Sequence, residues 1–200
     1  MLDVNDSVLA DINRGFFVPA QPKLLLKLQQ LMAANEPDLN HIATTISQDV
    51  SVSSSVLKTI NSPVYGLSRS VSDIHKSVRY IGLDGIVSLV TNTLIKRSFK
   101  QSDCNIALEE FWDNATNIAN VCVEIGNSLK QAVSKDKLFS LGLFHDCGIP
   151  AMAIKYKNYD EIYKSINEKT AVSLIEIEEK NYHVNHAIIG YYVASSWRLP

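Results

Sequence analysis

His145 and Asp146 stand side by side in an apolar run that extends from Leu141 to Ile149 and also holds Cys147. An unpaired polar group buried in such a run costs about 1 to 3 kcal/mol, so each must bond to the other, to backbone or to a metal. Two chemistries follow. As ligands the pair would hold a metal and open the way to an enzyme. As mutually satisfied partners they would be structural. The dipeptide by itself leaves both open. Cys147 has no cationic neighbour in sequence to lower its pKa, which makes it a buried structural thiol rather than a nucleophile. His41 and His75 lie on amphipathic helices and carry no partner spacing.

The elements that must position these residues read as helices throughout. Pro22 suits a first helical position, and Leu24, Leu25, Leu28, Leu31 and Met32 repeat at helical spacing behind it. Asp38 is placed to cap the next helix, with Leu39, Ile42, Ala43 and Ile46 inward, and Ser51 or Ser53 the one after. Asn61, Pro63 and Gly66 read as a helix end, a stiffened turn and a position of positive φ. Ser72 reads as a cap for a helix that Gly82 breaks before Asp84 to Phe99. Longer helices are expected over 106–132 and 135–145, the latter ended by Gly148 and Pro150, with shorter ones over 151–157, 159–167, 172–181 and 184–197. A leading helix is expected over 3–13. No segment shows sustained alternation of the kind a strand needs, so the fold class is all-α, a helix bundle with short connections.

Composition narrows the function. With 46% hydrophobic and 20% charged residues in 200, the chain is globular and long enough for two lobes around one core or two. A net charge of -2 and a pI near 6.2 give no broad positive field. Arg69, Lys76, Arg79 and the basic cluster Lys96, Arg97 and Lys100 rest on charge alone, without interleaved aromatics, so nucleic acid is not an expected partner. Three cysteines without a CxxC pair point to a reducing compartment. Asp3, Asp6 and Asp11 are incompatible with a signal peptide, and the apolar stretch from Ile81 to Ile95 is short and broken by Asp84 and Asn92. The expected location is cytoplasmic, with no membrane.

Several pieces, in this order, carry a resemblance: Val18-Pro19-Ala20-Gln21-Pro22, Ile46-Ser47-Gln48-Asp49-Val50, Asn61-Ser62-Pro63-Val64-Tyr65-Gly66-Leu67, Ile81-Gly82-Leu83, Phe111-Trp112, Leu143-Phe144-His145-Asp146-Cys147-Gly148 and Trp197-Arg198-Leu199-Pro200. Together they are similar to the HDOD domain, the HD-related output domain of bacterial signalling proteins. The resemblance implies a two-lobed helix bundle, with an N-terminal lobe over 1–100 and an HD-like lobe over 101–200, and relatives continue past Pro200. A final helix missing there would expose an apolar groove along Leu174, Ile188 and Tyr192. The resemblance further implies kinship with HD phosphohydrolases, whose metal site joins a histidine on one helix, an adjacent His-Asp pair and further His or Asp residues. His145, Asp146 and His186 match, with His183 expected on the same helix face as His186. Where relatives place a histidine after Phe-Trp and an aspartate before the last histidine, this chain has Asn114 and Asn185.

That departure has a chemical consequence. Asparagine offers a metal only a neutral amide oxygen, so a divalent ion binds more weakly and polarises water less. The amides of Asn114 and Asn185 can instead line the pocket and hydrogen-bond His145 and Asp146. The expectation is a non-catalytic signal-transduction module with no catalytic residue and no cofactor, acting through a protein partner, a homodimer or a small nucleotide ligand. The alternative is a metal-dependent phosphohydrolase, a nucleotide or cyclic-dinucleotide phosphodiesterase holding Fe, Mn, Zn or Ni at His145, Asp146 and His186.

Overall fold

The computed structural model describes residues 15–16, 20–129, 133–165, 173–197 and 199. Among them the regular structure is helical: α1 Lys23–Met32, α2 Leu39–Ser47, α3 Val50–Ile60, α4 Ile74–Ser98, α5 Leu108–Asn127, α6 Lys135–Phe144, α7 Gly148–Lys155, α8 Tyr159–Ser165, α9 Leu174–Tyr182 and α10 His186–Ser196, with short 3-10 turns at Pro63–Tyr65 and Gln101–Asp103. The all-α class holds. The helix expected over 3–13 lies outside the described residues, as do 130–132, 166–172 and Arg198.

The chain divides into two compact units. One takes Ala20–Ser98 and Thr116–Leu143. The other takes Phe99–Ala115 and Phe144–Leu199 with the described residues before Ala20. The seam expected at Gln101 to Asn105 lies just beyond the Ser98 boundary, but the later stretch Thr116–Leu143 groups with the N-terminal helices.

In the first unit α4 packs against α2 and α3, burying Ile86, Leu89, Val90 and Ile95. By length and composition α4 could cross a membrane. It is instead a core helix, half buried over that window and broken at Gly82, where φ 75° and ψ 175° are glycine geometry. Its polar interruption is satisfied inside: Asn92 and Ser140 of α6 exchange hydrogen bonds at 2.8 and 3.1 Å, and the Ser88 and Ser140 hydroxyls stand 3.1 Å apart. Close approach of α5 and α6 requires Gly142, where a Cβ would stand 2.5 Å from Ala119 Cα.

Several caps differ from the expected ones. Asp38 does cap α2, accepting from the amides of Asn40 and His41. α3 begins earlier than expected because Asp49, rather than a serine, accepts from Val52 N at 2.9 Å. Asp73 takes the role expected of Ser72, accepting from Lys76 N at 2.8 Å. A carboxylate is the stronger acceptor for an exposed helix amide. Asn61 is the C-cap of α3, as expected, its backbone N–H donating to the Leu57 carbonyl at 3.0 Å, and its side chain ties off the loop by bonding both the N–H and the carbonyl of Val71, at 2.7 and 2.8 Å. Gly66 has the expected positive φ, 65°.

In the second unit Phe99, Phe111, Trp112 and Phe144 form an aromatic cluster, with Trp112 4.9 Å from Phe111, 5.9 Å from Phe99 and 6.0 Å from Phe144 between ring centres. α7 crosses α10 at a glycine pair. A Cβ on Gly148 would overlap the carbonyl oxygen of His186 and stand 2.6 Å from Gly190 N. Gly148 therefore opens α7 instead of closing α6, and Pro150 sits in the first turn of α7, where its missing N–H costs nothing.

Candidate functional site

His145 and Asp146 occupy the turn between α6 and α7, held from one side by Phe144 in the aromatic cluster and from the other by the Gly148 crossing. His145 Nε2 lies 3.1 Å from Asp146 Oδ2, and His186 Nε2, from the start of α10, lies 3.7 Å from Asp146 Oδ1. The structure thus gathers the three residues that the sequence singled out. Exposure is graded across them. The side chains of His145 and Asp146 are 35% and 37% exposed, that of His186 only 10%.

Behind His186 stands a residue that sequence reasoning missed. Glu178 of α9 is fully buried, and its Oε2 receives both the backbone N–H of His186, at 2.9 Å, and a contact from His186 Nδ1 at 2.6 Å. Its Oε1 accepts the hydroxyl of Tyr159, at the start of α8. Burial, reinforced by the Glu178 carboxylate, drives the Tyr159 phenol far above its ordinary pKa, so it is a fixed O–H donor. The signal that would have found Glu178 is its register: four residues after Leu174 and one after Ile177, it puts a carboxylate on the inward face of a helix.

The asparagines do other work. Asn185 is buried, and its Oδ1 accepts from Ile188 N at 3.0 Å while its Nδ2 donates to Glu179 Oε1 at 2.7 Å. It is the N-cap of α10, not a partner of the His145–Asp146 pair. Asn114 lies exposed on α5. His183, expected on one helix face with His186, is an exposed left-handed residue with φ 57° that ends α9. Cys147 is the buried thiol expected: it donates to the Gly190 carbonyl at 3.5 Å, and burial together with the charge of Asp146 pushes its pKa up to about 12.

Burial pushes Asp146 up, but the hydrogen bond from His145 and the charges of His145 and His186 outweigh it and hold the carboxyl below the usual carboxylate range. Tyr163 of α8 feels the same carboxylate. Burial first, then the charges of Asp146 and Glu110, raises its phenol.

A family model, the HDOD domain, matches residues 18–200. The chain belongs to the HDOD family. Among its relatives is an uncharacterized protein of Treponema pallidum (strain Nichols), 26% identical over 195 residues, a match covering 92% of this chain and 35% of that protein. A crystal structure of an HDOD domain protein of unknown function from Geobacter sulfurreducens superposes with a TM-score of 0.72 at 20% identity, covering 96% of this chain and 64% of that one. A candidate phosphohydrolase of Shewanella amazonensis SB2B superposes at 0.73 and 19% identity, covering 96% and 66%. At such identities the likeness shows the fold alone. This HDOD domain spans about a third of the Treponema protein and under two thirds of the Geobacter chain.

The phosphohydrolase fold to which HDOD domains are related implies a divalent metal, and the donors can be tested against it. Among the described residues no group of three or more His, Cys, Asp and Glu side chains is placed to hold an ion. The chemistry of the set agrees. His145 Nε2 is turned onto Asp146, His186 Nδ1 onto Glu178, and the position where relatives bring a further carboxylate is the helix cap Asn185. As arranged, these donors do not fit a hydrolytic metal centre.

Proposed function

We propose that this HDOD domain is a non-catalytic regulatory module of the cytoplasm that works by protein contact, with its ancestral metal site reduced to a structural joint. The observation that carries the reading is the self-satisfaction of the site: Asp146 is met by two histidines, and the inner histidine is met by a buried carboxylate. A hydrolytic ion needs its ligands deprotonated and free to converge, with an open position for water.

A surface for such contact exists in the first unit. Ile118, Val121, Ile125 and Leu129 repeat at three and four residues along α5 and just past its end, and all are exposed. Such an apolar stripe supports a docking role for this face. Its rim favours a second copy of the chain. Asn117, Asn120, Asn127 and Ser128 flank it, with Glu124 the one charge from Thr116 to Leu129. Amides donate and accept alike, so such a rim complements itself, whereas a rim of one charge sign repels its own copy.

The catalytic question is decided with the purified chain, by assaying bis(p-nitrophenyl) phosphate and cyclic dinucleotides in Mn, Fe, Zn or Ni and measuring retained metal. The expected outcome is no turnover that depends on His145 and no stoichiometric ion. Hydrolysis that disappears in His145→Ala would replace this reading with a metal-dependent phosphohydrolase.

A further inference from the structure

We propose that Glu178 is a positioning residue: it keeps a proton on His186 Nδ1 and thereby aims His186 Nε2 at Asp146. A fully buried carboxylate persists only where donors meet it. Three do so here. The Tyr159 hydroxyl reaches Oε1, while the backbone N–H and ring Nδ1 of His186 share Oε2. A backbone amide can only donate, and the Tyr159 proton is held firmly by burial, so both carboxylate oxygens act as acceptors. With Oε2 already accepting the backbone N–H, the ring nitrogen 2.6 Å away is the natural donor of the shared proton.

Orientation follows from the same contacts. One oxygen grips the His186 ring and its backbone together, so the imidazole cannot turn about its side-chain torsions without leaving Glu178. Asn185 fixes the backbone from the other direction by capping α10. With Nδ1 committed inward, Nε2 is the atom 3.7 Å from Asp146 Oδ1. A continuous series of contacts therefore runs from buried Tyr159 through Glu178 and His186 to half-exposed Asp146 and His145. Whatever draws on Asp146 from outside acts on the turn between α9 and α10. Only this last consequence rests on the regulatory reading above.

The test is a two-bond proton–nitrogen correlation spectrum of the histidine rings, recorded on the whole chain at pH 8 and assigned with His186→Gln. Wild type should show His186 protonated at Nδ1. Glu178→Gln should preserve this, because its amide oxygen can keep both His186 bonds while its NH2 group donates to the Tyr159 oxygen. Glu178→Ala should lose it and show mixed ring forms. An unprotonated Nδ1 in wild type overturns the proposal whether or not any variant folds, and so does an unchanged spectrum in a Glu178→Ala protein with native circular dichroism. Discovery of phosphoester hydrolysis would sink the non-catalytic reading and leave this result standing.

Discussion

Asp146 is the residue at which burial and charge pull in opposite directions, and the histidines prevail. A carboxyl whose folded pKa is depressed binds its proton less readily folded than unfolded. It therefore adds stability above its unfolded value, about pH 4, and that contribution is lost as pH falls through the lower folded value. Wild type should melt above Asp146→Asn at pH 5 to 6, and the gap should close by about pH 2 to 3. Thermal unfolding by circular dichroism across that range is the check, and a gap that widens in acid would contradict it. At this scale the sequence was legible where residue type was unusual for its surroundings: His145, Asp146 and His186 converge as expected. It was opaque where the partner was a common residue. Glu178 and Tyr159 meet across 19 positions of chain, and among Glu176, Glu178 and Glu179 only the register against Leu174 marks Glu178 as the one that turns inside. Asn185 was misread for the reverse reason, since a match to a metal-site position concealed an ordinary helix cap.

At the scale of elements, glycines divide into those that need space and those that need conformation. Gly148 is of the first kind, with backbone of α10 against any Cβ, and Gly82 of the second, with nothing within 4 Å but φ at 75°. Gly82→Ala should lower stability by about 1 to 3 kcal/mol, the cost of holding a side chain in a glycine-only region. Gly148→Ala should match or exceed that by forcing α7 off α10, and it should also shift the His186 resonances, because the obstructing atom is the His186 carbonyl. Urea unfolding measures the first effect and histidine NMR separates the second. Equal spectra for Gly148→Ala and wild type would show that the crossing does not position the site. Among the described residues helix existence was legible, since apolar residues recur there at three and four. The exact starts were not, because Asp49 and Asp73 outcompete neighbouring serines for the first free amides.

For the whole molecule, the sequence indicated fold class but not the stripe along α5. By period Ile118, Ala119, Cys122, Ile125 and Leu129 all look like core, and only the structure shows that the inward face holds Ala119 and Val123 while Ile118, Ile125 and Leu129 are exposed. Reversed, the stripe's spacings of three, four and four are offset by one residue, so two antiparallel copies of α5 would bring Ile118 near Leu129 and Val121 near Ile125, close to the self-complementarity of a two-fold contact. Val121→Glu with Ile125→Glu sets four added carboxylates together in that seam. Sedimentation over a concentration series should show wild type associating and the double variant at least about tenfold weaker, equivalent to about 1.4 kcal/mol. Because the two positions are 51% and 57% exposed, the thermal midpoint measured at low concentration should barely move. A wild-type chain that stays monomeric at every concentration would remove the second copy as occupant of this face. Association unaffected by the two glutamates would place the contact elsewhere on the chain.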